Sequence, residues 1–541
     1  MASQVSVPSE APPLPPGPAV LPGGESPTVE SAAPAGETDV VLKIRDLKTY
    51  FFTYDGVVKA LDGVNLQIRK GQTTGLVGET GCGKSVTAFS VTRLIPDPPG
   101  RILGGEVLFE GVNLLWGLDK EATFTPIPKT NRVKIRRSFR RIRQGTERMA
   151  AVRGRGIAMI FQEPTQAMNP IFTISNQLGE TLLLHRGVQI IDGLLAADPY
   201  DPRVPAALEG LSDAGLRGKT GDLRMAADAV GEAVHLPSFG TQAYAIARAA
   251  GREVEDARMD IEQAMGHLRL SGLQKSYLAH RRREMELQNE LDVVYLAEMR
   301  DGELKGRERR SLRRRLTFER WRHFYFNLWG IRSRAKRPLE RETFWRSVAL
   351  LEGMSIANPV QVARGFPFEL SGGMLQRVMI AMALSSEPKV LLADEPTTAL
   401  DVTIQAQILE LMRDLKNRAG TSILLITHDL AVIAEVADRV CVMYAGTIVE
   451  EGSVQEIFRR PLHPYTQGLL ASIPRLDRPN QEFSSIPGSV PNLIYPPSGC
   501  RFHPRCPYSM PVCKGDRPPV TIEGEDHAVA CYLYKGPVRA D

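Results

Sequence analysis

Gly78-Glu79-Thr80-Gly81-Cys82-Gly83-Lys84-Ser85 decides the fold. The octapeptide fits G-x-x-x-x-G-K-S/T, and chemistry explains the spacing. Glycines let the backbone wrap around phosphates with its N–H groups turned inward. A helix starting near Lys84 aims its positive end at the same anion. Lys84 is then placed to reach the β- and γ-phosphates of a nucleotide, and Ser85 to give an oxygen to Mg²⁺. Just upstream, Thr73–Val77 reads as a short apolar strand, and Lys84 through Leu94 reads as a helix. Strand, glycine loop and helix in that order predict an α/β nucleotide-binding core. Cys82 lies inside the loop, where backbone geometry dominates, and is read as a filler residue.

Farther along, Val390-Leu391-Leu392-Ala393-Asp394-Glu395 is an apolar strand ending in two acids. Acids just past a buried strand sit at the carboxyl edge of a parallel sheet, where ligands bind. Asp394 can hold Mg²⁺ through water, and Glu395 can orient and deprotonate an attacking water. Val40–Ile44 and Val57–Ile68 read as strands ahead of the loop. Thr403–Lys416 reads as a helix, and Ser422–Thr427 and Val440–Tyr444 as further strands.

Leu370-Ser371-Gly372-Gly373-Met374-Leu375-Gln376-Arg377 separates this chain from other phosphate-loop enzymes. It resembles the LSGGQ signature of ABC ATPases, another helix N-terminus preceded by small residues. The remaining marks of that family follow in order. Phe161-Gln162-Glu163-Pro164 resembles the Q-loop, Ala399-Leu400-Asp401 the D-loop, and Thr427-His428-Asp429 the switch. The resemblance implies that Gln162 touches Mg²⁺ and senses a transmembrane partner, and that His428 contacts the γ-phosphate. It implies that Ser371, Gly372, Gly373, Gln376 and Asp401 contribute to ATP binding, and that Phe51 stacks on adenine. Since the chain has one cassette, the resemblance also implies dimerisation, with ATP held between two cassettes.

The flanks resemble the oligopeptide/dipeptide/nickel importer ATPases. Met168-Asn169-Pro170 follows the Q-loop. His463-Pro464-Tyr465-Thr466, Ile486-Pro487-Gly488-Ser489-Val490-Pro491 and Pro496 through Pro507 cover the C-terminal region. This branch implies a paralogous second ATPase, two membrane permeases, an extracytoplasmic binding protein, and a place on the cytoplasmic face of the membrane. No nucleic-acid partner is expected. The rival reading, a soluble ABC ATPase acting on nucleic acid or ribosomes, draws on the basic insertions described below.

Composition agrees with a globular chain. Of 541 residues, 43% are apolar and 24% charged, and the net charge of +5 is too small to argue for nucleic acid by itself. No apolar run approaches the ~20 residues needed to span a bilayer, and no secretory signal opens the sequence. A cytoplasmic chain whose membrane spans come from other subunits is expected. Residues 1–38 are rich in Pro, Ala, Gly, Ser and Glu and are expected to be a disordered tail. The ABC nucleotide-binding domain is expected over 39–460, with an antiparallel β subdomain and a helical signature subdomain. It departs from the family pattern at a basic insertion, 117–150, and at a helical insertion, 186–342. The run Arg132, Lys134, Arg136, Arg137, Arg140, Arg141, Arg143, Arg148 and Arg153 reads as a solvated helix face or a contact for acidic lipid headgroups. In the second insertion, a basic stretch carries Trp321, Phe324, Tyr325, Phe326 and Trp329. Its helices are expected to pack on themselves or on the host, or to present a membrane or partner face.

The final region, 461–541, reads as a small Cys-rich domain. Cys500, Cys506, Cys513 and Cys531 are wider apart than the usual C-x₂₋₄-C pairs of structural zinc, which leans toward an iron–sulfur cluster over zinc, with free thiols as the third reading. Some ATPases of the resembling family carry a 4Fe–4S cluster here.

Overall fold

The computed structural model describes residues 39–126, 133–217, 219–250, 254–327, 332–398, 400–472, 486–524, 526–534 and 536–539. The expected N-terminal tail, Arg132, Trp329 and Ala399 lie outside these residues, and of Phe324, Tyr325 and Phe326 only the helical backbone is described.

Two sheets organise the molecule. Strands β1 (Val40–Phe52) and β2 (Val57–Arg69) form a long antiparallel pair. β4 (Gly100–Phe109) and β5 (Val112–Asn113) extend it into a four-stranded sheet of order β2-β1-β4-β5. One face of β1 and β2 is apolar at alternate positions, and Leu42, Ile44, Leu47, Leu61, Val64, Leu66 and Ile68 are buried together. This is the expected antiparallel subdomain.

The second sheet holds β3 (Thr73–Val77), β8 (Ile157–Ile160), β9 (Val390–Asp394), β10 (Ser422–Ile426), β11 (Arg439–Tyr444) and β12 (Thr447–Ser453). β3, β9 and β10 are buried at every position, which is why they read as unbroken apolar runs and not as alternating ones. β11, β3, β10, β9 and β8 are mutually parallel. β13 (Val520–Glu523) and β14 (His527–Ala530) join antiparallel through β12, so the sheet runs β13-β14-β12-β11-β3-β10-β9-β8. The C-terminal region therefore shares the cassette's sheet. It also shares its core, where Tyr465 and Phe502 are buried with Tyr444.

Helices fill the rest. α1 (Lys84–Val91) follows β3. β6 (Ala122–Pro126) and β7 (Val133–Arg137) make a hairpin leading to α2 (Phe139–Ala150), so the basic run is not one helix. Its members also differ in burial. Arg148 is buried beside Glu298, and Arg153 reaches back to α1. α3 (Pro164–Ala167) and α4 (Ile174–Ala196) open the helical subdomain. Within residues 186–342, α5 (Val204–Arg217), α6 (Thr220–Ala233), α7 (Pro237–Ala250) and α8 (Val254–Gly266) close over a core including Ile190, Leu208, Val230 and Phe239. α9 (Gly272–Asp301) and α10 (Gly306–Asn327) form a hairpin sealed by Leu287, Leu291, Val294, Tyr295, Leu312 and Leu316. α11 (Arg332–Ala335), α12 (Arg337–Gly353) and α13 (Pro359–Arg364) return the chain to α14 (Gly372–Leu384). α15 (Val402–Ala419), α16 (Leu430–Val436), α17 (Val454–Arg459) and α18 (Pro464–Ala471) complete the described helices.

Residues 117–150 and 186–342 are joined. Glu298 on α9 is wholly buried and accepts from Arg148 on α2 at 3.3 Å and from Arg309 on α10 at 3.0 Å. Arg313 on α10 reaches Glu147 on α2. Segments more than a hundred residues apart thus form one charged layer.

Candidate functional site

The phosphate loop closes β3 and opens α1. Gly78 and Gly83 have φ of 154° and 111°, where a side chain is strained. A Cβ on Gly78 would stand 2.2 Å from the Met443 carbonyl oxygen, and one on Gly83 2.8 Å from that of Ala60. Lys84 is buried, and its Nζ donates to the Gly78 and Glu79 carbonyls at 2.7 and 3.1 Å. At the far end of α1, Arg153 donates to the Thr92 carbonyl at 2.9 and 2.8 Å and to that of Arg93 at 3.0 Å. That guanidinium satisfies carbonyls the helix cannot and complements its negative end. Cys82 is buried, and burial pushes its thiol up, as expected of a packing residue.

β9 delivers the two acids. Ser85 Oγ donates to Asp394 Oδ1 at 3.0 Å. Burial pushes the Asp394 carboxyl up to about 6 against the Ser85 hydrogen bond, and the Glu395 charge adds to the rise. A buried carboxylate beside a hydroxyl is an oxygen donor set that suits Mg²⁺, and a cation there would favour the ionised form. Glu395 has φ of 47°, a conformation uncommon for a residue with a side chain. Its N–H donates to the Ile426 carbonyl at 2.8 Å, fixing the turn to β10. Its carboxylate gathers three side chains. Oε2 accepts from Gln162 Nε2 at 2.9 Å and from Thr398 Oγ1 at 3.0 Å, and Oε1 lies 3.2 Å from His428 Nδ1. Gln162 and His428 are exposed, so the cluster opens to solvent. The structure therefore brings together Lys84, Ser85, Gln162, Asp394, Glu395 and His428.

The signature lies at the start of α14. Ser371 is its N-cap, accepting from the Met374 N–H at 3.4 Å, and Ser371 and Gly372 are exposed. Gly373 packs beside Leu400, 3.3 Å from where a Cβ would stand. Asp401 caps α15 through Oδ1 and the Ile404 N–H at 2.9 Å. Phe51 is half-buried with its ring on Gly100 of β4, outside the carboxylate cluster.

Two residues expected at the nucleotide have other partners in this structure. Gln376 is 2% exposed, and its amide donates to the Pro396 carbonyl at 2.7 Å. It braces the turn after Glu395 from beneath. Glu79 turns toward the C-terminal region. Its N–H donates to the Tyr465 hydroxyl at 2.8 Å, and Arg505 holds its carboxylate at 2.7 and 3.0 Å. Sequence reading missed Arg505, Tyr465, Arg153 and Thr398 as parts of this site. Only Thr398 carried a local signal, three residues past Glu395.

The four late cysteines approach one another. The Cys500 N–H donates to the Cys513 carbonyl at 2.9 Å. Burial pushes the Cys531 thiol up to about 12, and Cys500, Cys506 and Cys513 add to the rise. Even so, among the described residues no group of three or more His, Cys, Asp or Glu side chains is placed to hold a metal ion. Also among them, no helix is long and apolar enough to cross a membrane.

Parallel sheet, phosphate loop, paired acids and signature define an ATP-binding cassette. Sequence comparison agrees, since the ABC transporter family matches residues 61–285 and 263–398, and the chain belongs to that family. Residues 449–513 match the oligopeptide/dipeptide transporter C-terminal region. Among curated relatives, the chain is 32% identical over 497 residues to a probable peptide ABC transporter ATP-binding protein, y4tR, of Sinorhizobium fredii, covering 92% of this chain and 96% of the relative. Identity to the oligopeptide transport ATP-binding protein AppD of Bacillus subtilis is 32% over 496 residues, covering 92% of this chain and 97% of the relative. For the dipeptide transport ATP-binding protein DppD of the same organism it is 31% over 493 residues, covering 91% and 94%.

Proposed function

We propose that this chain hydrolyses ATP to drive uptake of peptides, or a related solute, through membrane permeases. The observation that carries the catalytic part is the convergence of Gln162, Thr398 and His428 on the Glu395 carboxylate, beside the Ser85–Asp394 pair. The peptide assignment is supported by the C-terminal match and by the names of the relatives.

Lys84 and the loop N–H groups bind the β- and γ-phosphates. Ser85, Asp394 and Gln162 would hold Mg²⁺, which when bound neutralises phosphate charge. Glu395 accepts a proton from the attacking water, the γ-phosphoryl group passes to that water, and ADP leaves with the broken bond's electrons. His428 contacts the γ-phosphate. Phe51 is assigned to adenine. Ser371, Gly372 and Gly373, exposed at the start of α14, complete the site of a second cassette, and a paralogous ATPase is the favoured partner. Two permeases and an extracytoplasmic binding protein complete the importer, with this chain peripheral on the cytoplasmic face. Residues 39–460 act as the cassette, and residues 461–541 as its oligopeptide-transporter-type C-terminal domain.

An iron–sulfur cluster at Cys500, Cys506, Cys513 and Cys531 has weaker support. The thiols influence one another, yet as placed they form no metal-holding group. Iron and sulfide analysis of anaerobically purified protein decides it. Absence of both leaves the thiols as packing residues.

Affinity purification from native membranes in mild detergent, with mass spectrometry of what accompanies the chain, tests the main reading. Two polytopic permeases and a second ABC ATPase support it. Ribosomal proteins or nucleic acid without a permease overturn it.

A further inference from the structure

Helix α10 concentrates the chain's charge. Gly306–Asn327 carries eight arginines against two glutamates, while the whole chain has a net charge of only +5. The arginines divide into two groups. Five are matched with acids: Arg309 with Glu298, Arg313 with Glu147, Arg315 with Glu290, Arg320 with Glu284, and Arg322 with Glu319 of its own helix. Arg307, Arg310 and Arg314 are exposed and have no acidic partner among the described residues. Arg310 makes one bond, to the Gly306 carbonyl at 2.9 Å.

These three continue into Phe318 and Trp321, which are 58% and 65% exposed. The five recur at three- and four-residue spacing, so they form one stripe along the helix, about 21 Å long. Leu312 and Leu316, buried against α9, occupy the opposite face. The pairing of the inner arginines fixes which face is left over. That face is basic for its first half and aromatic at its end.

Its location matters too. Arg320 lines a cavity of about 550 Å³ together with Phe172, Ser175 and Asn176. Phe172 lies just beyond the Q-loop, the side on which the importer reading docks the permeases. On that reading the aromatic end of α10 stands on the permease side of the cassette.

We propose that this stripe is a contact for the anionic inner leaflet, an inference that rests on the importer reading for its orientation. Arg307, Arg310 and Arg314 take lipid phosphates, and Phe318 and Trp321 enter the boundary between headgroups and acyl chains. Because the helix is already clamped to α9 and α2, the contact orders little new chain. It would hold the cassette flat beneath its permeases.

Sedimentation of the full chain with vesicles tests this. Binding is expected to vesicles holding equal phosphatidylglycerol and phosphatidylcholine and not to phosphatidylcholine alone. Each arginine near such a surface contributes about five-fold in partitioning, so R307E/R310E/R314E is expected to lose about 100-fold. Phe318→Ala with Trp321→Ala is expected to remove the binding that survives high salt, where charge is screened. Undiminished binding by the charge-reversed variant, or no preference for phosphatidylglycerol, overturns the proposal. So does displacement from vesicles by an equimolar single-stranded RNA, which would make the stripe a nucleic-acid face. Permeases that still co-purify with a chain unable to bind vesicles would sink this contact alone and leave the importer reading standing.

Discussion

Arg505 grips the carboxylate of Glu79 with both terminal nitrogens, Nη1 to Oε2 at 2.7 Å and Nη2 to Oε1 at 3.0 Å. The pair spans 426 residues and ties the Cys-rich region to the second residue of the phosphate loop. Arg505 is 8% exposed, and its guanidinium also lies near the rings of Tyr444 and Phe502. A planar fork suits a carboxylate in a way a lysine cannot match. Arg505→Ala is therefore expected to loosen the loop and weaken ATP binding about ten-fold, or ~1.4 kcal/mol. Arg505→Lys should recover only part. Titration with a fluorescent ATP analogue measures the loss. A thermal midpoint that stays put while affinity falls separates positioning from unfolding, whereas unchanged affinity removes the loop from Arg505's role.

Glu395 sits where three donors meet and where a carboxylate is needed to take a proton. Glu395→Gln keeps the shape and removes the base. ATP hydrolysis by the assembled complex is expected to fall by at least about 100-fold, with ATP-bound cassette closure retained. Phosphate release and crosslinking across the cassette dimer report the two separately. Near-normal turnover would sink the assignment of the base.

The parts legible in the sequence were those with local causes. β3, β9 and β10 are apolar throughout because both faces are covered. The phosphate loop shows itself because Gly78 and Gly83 occupy backbone positions that no side chain could share with Met443 and Ala60. What stayed hidden depends on distant partners. Nothing near Glu79 announces Arg505. Nothing in the basic run distinguishes Arg148, buried on Glu298, from exposed Arg143. β13 and β14 are four-residue strands at one end of the sheet, too short for a periodic signal, so their place in it emerges only through the pairing of β14 with β12 and of β13 with β14.

Glu298 joins α2 to the α9–α10 hairpin. It is fully buried, and it receives Arg148, Arg309 and the Lys305 N–H. Glu298→Ala leaves two guanidinium groups facing each other without their counter-charge. Removing one member of a buried ionic group costs about 3–5 kcal/mol. Chemical denaturation of the full chain is expected to show that loss. Because α2 and the α9–α10 hairpin would part, protease cleavage should appear first between residues 117 and 150. A variant as stable as the parent would mean that the apolar contacts of the hairpin hold the layer by themselves.

His463 makes stability depend on acid. It is 1% exposed, and burial pulls its imidazole down to about 4 despite the nearby Glu450 charge. Nδ1 accepts the Tyr465 N–H at 3.1 Å and so caps α18, a role that requires an unprotonated Nδ1. Glu450 accepts the His463 N–H at 2.9 Å and also faces His527 at 2.7 Å. In the unfolded chain His463 takes its proton near pH 6.5, whereas the folded chain resists until about 4. Between those values the unfolded state binds more protons, so stability falls as pH falls. The loss begins below about 6.5, is complete below about 4, and amounts to roughly 3 kcal/mol. Asn at this position keeps an oxygen acceptor for the cap and does not titrate. His463→Asn is therefore expected to flatten the acid limb of a stability–pH profile while changing stability little at pH 8. Denaturation midpoints at pH 8, 6 and 4.5 measure it, and an unchanged slope in the variant would remove His463 as the source of the acid loss.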